Sequence, residues 1–210
     1  MTGARLFAAV ALVVGGRAAV GESRVYEEST GGSGTVVRVY SEGHETYSAT
    51  IETPGKLAVH VPPQLSLPPP RLRWISPDLL RIDYGSELGA DVTSLFYSVK
   101  RNAIDGPYEF VKAVDPVNER ILCTGLEVIV QRLFGGGGRV RVRPHDMARS
   151  AMTWFVVSSK TRFEGDKLYI TYMLETTRPD DVRWVNRVIE LPHPRRSERS
   201  GRLRGHHLDK

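Results

Sequence analysis

Residues 35–61, TVVRVYSEGHETYSATIETPGKLAVHV, decide the fold class. Within them Thr35–Ser41, Glu45–Thr53 and Lys56–Val61 alternate apolar with polar side chains, and glycine or proline stands between the runs. Side chains on a strand point to opposite faces in turn, so this alternation predicts strands with one buried face. The same signal continues down the chain. Leu72–Ile75 and Leu79–Tyr84 flank Ser76-Pro77-Asp78, where proline presets the turn. Thr93–Lys100, Tyr108–Val114, Arg120–Thr124, Glu127–Phe134, Arg139–Arg143, Trp154–Ser158, Lys167–Leu174 and Val182–Leu191 complete the set. Short strands at even spacing predict antiparallel sheets rather than βαβ units. The expected class is mostly β, a β-sandwich or a propeller-like pair of sheets, with at most one short helix. That helix is expected over Pro144–Met152, where Met147, Ala148, Ala151 and Met152 would share a face.

Two composition breaks divide the chain. Five prolines fall between Pro62 and Pro70, which predicts a stiff connector over 62–70 after an N-terminal β segment, 22–61. No two of these prolines stand three apart, so the spacing of a proline-recognition ligand is missing. A main β domain, 71–193, follows. The last stretch, 194–210, reads PRRSERSGRLRGHHLDK and lacks the apolar content to order itself.

The first 21 residues read as an export leader. Arg5 precedes the apolar stretch Leu6–Gly16, and Ala19-Val20-Gly21 fits a signal-peptidase cleavage pattern. Eleven apolar residues fall well short of the roughly 20 that a spanning helix needs. Cleavage is therefore expected, leaving no membrane span; an uncleaved anchor is the rival, because Arg17 sits close to the cut. The expected location is the periplasm or the outside of the cell.

Charge narrows the partners. The whole chain carries +5, but Arg5 and Arg17 belong to the leader and six cations against two anions lie in 194–210. Residues 22–193 carry about −1, which gives no charge signature for nucleic acid. Cys123 is the only cysteine, so no internal disulfide exists and stability must come from the core. Its setting in Ile121-Leu122-Cys123-Thr124 predicts a small buried side chain, with an intermolecular bridge as the alternative.

An internal echo is visible. Asp78-x-Leu80-x-Ile82-x-Tyr84 recurs as Asp166-x-Leu168-x-Ile170-x-Tyr172, each placing Leu, Ile and Tyr on one strand face. An aromatic residue, Trp74 or Phe163, precedes each. The segment Trp74–Tyr84 resembles the S-P-D-G-x-x-I-x-[FY] strand of TolB-type β-propeller repeats, with Leu79 where that family has glycine. The resemblance covers about eleven residues and implies a binding scaffold rather than a catalyst. Residues 72–191 are too few for a closed propeller at roughly 40 residues per blade.

Catalytic signatures fall short. His44-Glu45-Thr46-Tyr47-Ser48 lacks the second histidine of a zinc-protease helix. Gly31-Gly32-Ser33-Gly34 lacks the spacing of a nucleophile elbow, and Gly55-Lys56 is followed by Leu57 rather than a hydroxyl residue. Asp180-Asp181 and His206-His207 have no companions that would complete a metal site. No metal and no cofactor are expected. A composite hydrolase site would draw first on His145 with Asp146, then on His60 and Asp78.

The most specific pattern is Gly135-Gly136-Gly137-Gly138-Arg139-Val140-Arg141-Val142-Arg143. On a strand Arg139, Arg141 and Arg143 share one face at about 6.6 Å intervals, with Val140 and Val142 turned inward. Such a row suits sulfate, phosphate or carboxylate groups along a polymer. The plainer role for the same row is a solvated edge strand whose charge deters sheet-to-sheet pairing. Trp74, Trp154 and Trp184 are expected in the core rather than on a sugar platform.

These readings lead to an exported, β-rich binding protein of the bacterial cell envelope. Its expected contact residues are Arg139, Arg141 and Arg143, and its expected partner is an envelope protein or an anionic polymer. A small hydrolase at His145 and Asp146 is one alternative, and a structural subunit of an envelope assembly is another. The oligomeric state is left open.

Overall fold

A computed structural model of the chain describes residues 24–85, 92–125, 127–135, 138–148, 156–176 and 181–191. The expected leader and tail lie outside these. Among the described residues, four antiparallel sheets follow one another along the chain. The first is a meander of β1 (Arg24–Thr30), β2 (Val36–Gly43), β3 (Thr46–Glu52) and β4 (Val59–Leu65). The second contains β5 (Arg71–Ser76), β6 (Leu79–Tyr84), β7 (Thr93–Ser98) and β8 (Ala103–Glu109). The third contains β9 (Val111–Asp115), β10 (Arg120–Cys123), β11 (Ile129–Arg132) and β12 (Val140–Arg141). The fourth contains β13 (Arg162–Glu164), β14 (Lys167–Met173) and β15 (Trp184–Glu190).

The antiparallel β class holds, with four sheets where a pair was expected. Phe110 supplies one reason. Its φ of 51° is left-handed, and it turns the chain from β8 into β9, splitting the single strand expected over Tyr108–Val114. An aromatic residue pays for that conformation by about 1–2 kcal/mol. Bonds on both sides of Phe110 offset the strain: its amide donates to Val92 O at 3.0 Å, and its carbonyl accepts from Thr124 N at 3.2 Å.

The expected connector is partly strand. Pro62 and Pro63 continue β4, which is an edge strand and can forgo two ladder donors. One core also crosses this stretch. Val37, Val39, Ala49, Ile51 and Val61 of the first sheet pack with Leu80, Ile82, Tyr84 and Tyr97 of the second. A hydroxyl chain reinforces the contact, from Thr35 to Thr53 at 3.0 Å and from Thr53 to Tyr97 at 2.7 Å, ending on Asn102 at 2.7 Å. Gly31 lies under the Trp74 indole, where a Cβ would come within 2.6 Å of ring carbons.

The helix expected from Pro144 does not begin. His145 and Asp146 form a turn, and Ala148 N donates across to Met173 O at 3.0 Å rather than back along its own segment. Met147 bridges Leu174. The rest of that stretch, 149–152, lies outside the described residues. Among the described residues no helix is long and apolar enough to cross a membrane.

The second and third sheets meet through Leu79, Phe96, Val111, Ile121 and Leu133. The third and fourth meet through Leu122, Val130, Met147, Leu168, Ile170 and Tyr172. Both halves of the sequence echo therefore bury their Leu, Ile and Tyr, one in each end core. At the third interface Arg120 is 6% exposed and pairs with Asp115, also 6% exposed, at 2.7 Å. The guanidinium also donates to Gly165 O at 2.5 Å and lies over the Phe163 ring. Burial works to raise the Asp115 carboxyl, but bonds from Asn118 and Arg120 outweigh it and hold its pKa below the usual value.

Removing one partner of a buried pair strands the other charge, so Arg120→Ala should lower the urea-measured unfolding free energy by about 3–5 kcal/mol. Because the folded Asp115 pKa is depressed, its contribution is complete above the unfolded value, near about 3.9, and fades as pH falls through the folded one. Asp115→Asn should therefore be less stable at neutral pH yet show a shallower loss of stability in acid. An unchanged acid slope would count against the assignment.

Candidate functional site

The arginine row lies at the edge of the third sheet. Val140 and Arg141 of β12 pair with Val130 and Ile129 of β11, and no strand is paired on the other side of β12 among the described residues. The ladder is only two residues long, but the alternation runs beyond it. Arg139, Arg141 and Arg143 are exposed, while Val142 is buried and Val140 packs against the core between the third and fourth sheets. The glycine-rich lead-in, of which 136–137 lie outside the described residues, reaches this edge without a helix to cradle an anion.

The three guanidinium groups are not equivalent. Arg141 forms an ion pair with Glu127, which lies two residues from its register partner Ile129. Such diagonal neighbours on adjacent strands are within reach of long side chains. Arg143 donates to Ala148 O at 3.1 Å, where the chain turns after Pro144. Arg139 makes no hydrogen bond or ion pair among the described residues. Sequence reading did not single out Glu127; its place just before β11, opposite an arginine strand across a hairpin, was the available signal.

Beside this edge lies a seam of half-buried polar groups between the second and third sheets. Tyr108 donates to Asp105 at 2.7 Å, and that carboxylate also accepts from Phe134 N. Burial, then the Asp105 bond, pushes the Tyr108 hydroxyl far above its usual value; the Arg139 charge works weakly the other way. Burial likewise raises the Cys123 thiol to about 11, against smaller opposing effects from Gln131, Arg81 and Arg139. Gln131 donates to Cys123 Sγ at 3.5 Å. Arg81, itself buried, donates to Asp83 at 2.6 Å and to Val111 O at 3.2 Å, joining the two sheets.

His145 and Asp146 are neighbours in a turn, but no hydrogen bond joins their side chains among the described residues. The Asp146 carboxylate accepts from Tyr172 OH at 2.7 Å and from Arg187 at 2.9 Å. The Tyr172 bond leads in holding its pKa below the usual range, partly opposed by burial. On the tyrosine side, burial first and this bond second raise the hydroxyl to about 12. A carboxylate with both oxygens engaged in this way anchors the turn to β14 and β15 rather than orienting an imidazole. Nothing in the sequence linked Asp146 to Arg187, which is 41 residues away.

His60 lies on the outer face of the first sheet and accepts or donates to Thr50 at 3.2 Å. Asp78 pairs with Lys100 at 2.9 Å. The structure does not bring these two into one constellation with His145. Among the described residues no group of three His, Cys, Asp or Glu side chains is placed to hold a metal ion. Trp74 is partly buried as expected, and Trp154 lies outside the described residues. Trp184 differs from expectation: it stands 48% exposed, because it occupies the alternate face of β15, which no further sheet covers among the described residues.

The raised thiol gives a direct chemical test of the seam. At pH 8 only a small fraction of Cys123 would be thiolate, so native chain should react with iodoacetamide at least tenfold more slowly than free cysteine. In 8 M urea the rate should return to that of an ordinary thiol. Equal rates in both states would mean that the seam is open. No protein-family model, curated protein or solved structure matches this chain.

Proposed function

We propose that the chain is an exported binding protein of the bacterial cell envelope that holds an anionic partner on the edge formed by Arg139, Arg141 and Arg143. The observation that carries this reading is the exposure of all three guanidinium groups on one side of an edge strand whose valines face inward. Export rests on the leader pattern in residues 1–21. The Trp74–Tyr84 resemblance to propeller repeats, which lies in the β5–β6 hairpin, favours a scaffold that binds over one that catalyses.

Electrostatics sets what the edge would take. An exposed pair such as Arg141–Glu127 contributes about 0–1 kcal/mol, so a carboxylate or sulfate on a partner can displace Glu127 at little cost. Arg139 has no partner to displace among the described residues. Planar guanidinium groups two residues apart suit repeated anionic groups along an extended polymer or polypeptide better than a single small ion.

Retention of the full chain on immobilised heparin, eluted with NaCl, tests the reading. The triple variant R139E/R141E/R143E should elute at markedly lower salt than wild type. The tail variant R195Q/R196Q/R199Q/R202Q/R204Q should keep most of the retention. Should the tail variant alone lose binding while the triple variant elutes like wild type, the folded edge is not the binding surface.

A further inference from the structure

The edge strands β4 and β12 differ in what they offer to a further strand. In β4, Pro62 and Pro63 remove two backbone donors. The stretch Gly138–Arg143 that carries β12 contains no proline, and the buried Pro144 ends it only after Arg143. A backbone N–H is therefore present at every position of this edge.

The phase of the β11–β12 ladder decides which of these groups are open. Val142 N donates to Val128 O at 3.0 Å, and Arg141 stands opposite Ile129. Directly opposed residues of an antiparallel pair alternate between pairs that exchange both backbone bonds and pairs that exchange none. Val142 with Val128 and Val140 with Val130 are of the first kind, so Arg141 with Ile129 is of the second. The Arg141 N–H and C=O consequently point away from β11, to the side on which no strand is paired among the described residues. By the same alternation the N–H groups of Arg139 and Arg143 take this direction too. The residues that present open backbone bonds are thus the residues that present guanidinium groups.

Resting on the anion-binding reading of this edge, we propose that its partner is an extended acidic polypeptide that adds to β12 as an antiparallel strand, with Glu or Asp at every second position. A strand added in that sense forms its two-bond pairs with the arginines, at Cα separations of about 5.5 Å and with paired side chains on one face. The same partner residues then bond the edge backbone and meet the guanidinium groups. A carboxylate opposite Arg141 takes the place of Glu127, so that ion pair is exchanged rather than lost. The intervening side chains fall on the face of Val140 and Val142, where β-branched apolar residues fit. A sulfated or phosphorylated polysaccharide supplies the charge but has no alternating N–H and C=O groups to meet those of Arg141. That backbone complementarity favours the polypeptide, since main-chain bonds supply affinity in strand addition and alternate side chains supply specificity.

Fluorescence anisotropy of a labelled, blocked peptide of sequence TEVEVET, titrated with the full chain in about 0.15 M NaCl, tests the strand addition. A Kd on the order of 100 μM is expected for so short a contact. In the proposed register the glutamate N–H groups bond β12, whereas the valine N–H groups point away from it. N-methylation of the glutamates should therefore weaken binding at least about tenfold, and N-methylation of the valines less than about threefold. The variant R139E/R141E/R143E, its fold checked by far-UV circular dichroism, should not bind the peptide. Equal binding of the unmodified and both N-methylated peptides overturns strand addition and leaves an edge that recognises charge alone. A wild-type chain that ignores TEVEVET, yet is held on heparin through the three arginines, overturns the polypeptide in favour of a polysaccharide. If the triple variant elutes from heparin like wild type, the anion-binding reading itself has failed.

Discussion

The strands β6 and β10 have to satisfy two cores at once, and the rest of the molecule is arranged around that constraint. In β6, Leu80, Ile82 and Tyr84 face the first sheet while Leu79 faces the third. In β10, Leu122 faces the fourth sheet while Ile121 faces the second. A strand covered on both sides has no solvent face on which to place its polar residues. Arg81 and Arg120 are therefore buried, and each is held by a carboxylate and by a carbonyl of the neighbouring sheet. Burying a guanidinium is costly without such partners. The two arginines thus fix the spacing of successive sheets, since a small slide would leave a charge without its acceptors.

The two kinds of strand wrote themselves differently into the sequence. Strands with one solvent face alternate strictly, as in Lys167–Met173, and their positions are legible from period two alone. In the doubly covered strands adjacent apolar residues replace the alternation: Leu79-Leu80 and Ile121-Leu122. In sequence such doublets look like any other strand, and the packing of two sheets against them is visible only in the fold. The division into four sheets was hidden for a related reason. The passage from the second to the third depends on one left-handed residue, Phe110, and an aromatic side chain gives no hint of a positive φ. Pro62 and Pro63 misled in the other direction, because proline is tolerated on the outer side of an edge strand.

The echo between Leu80-x-Ile82-x-Tyr84 and Leu168-x-Ile170-x-Tyr172 shows how far sequence reading of a site can go. Both tyrosines are buried at the ends of equivalent triplets, and sequence made them look alike. Their hydroxyls differ: that of Tyr172 reaches Asp146, and that of Tyr84 has no hydrogen-bond partner among the described residues. The difference arises from Asp146, on a turn 26 residues before Tyr172, with no counterpart beside Tyr84 among the described residues. Local pattern fixes which side chain is buried, whereas its partner comes from whichever loop the tertiary fold delivers. The outward position of Trp184 has the same origin. Its alternation was readable, but which of the two faces would be left uncovered depends on where the stack of sheets stops.

The arginine edge was legible because it depends only on period two and on an edge position, both local properties. Its internal order was not. Arg143 is held by Ala148 O and is oriented before any partner arrives, whereas Arg141 has first to leave Glu127. Pre-orientation reduces the side-chain entropy lost on binding, of order 0.5–1.5 kcal/mol for each such side chain. The same charges discourage a foreign strand from adding to the open side of β12, since that strand would have to lie among three cations. Edge protection and anion binding are therefore not rival explanations of one sequence feature. A strand edge guarded by positive charge is closed to neutral strands, and the groups that close it are those an acidic chain would seek.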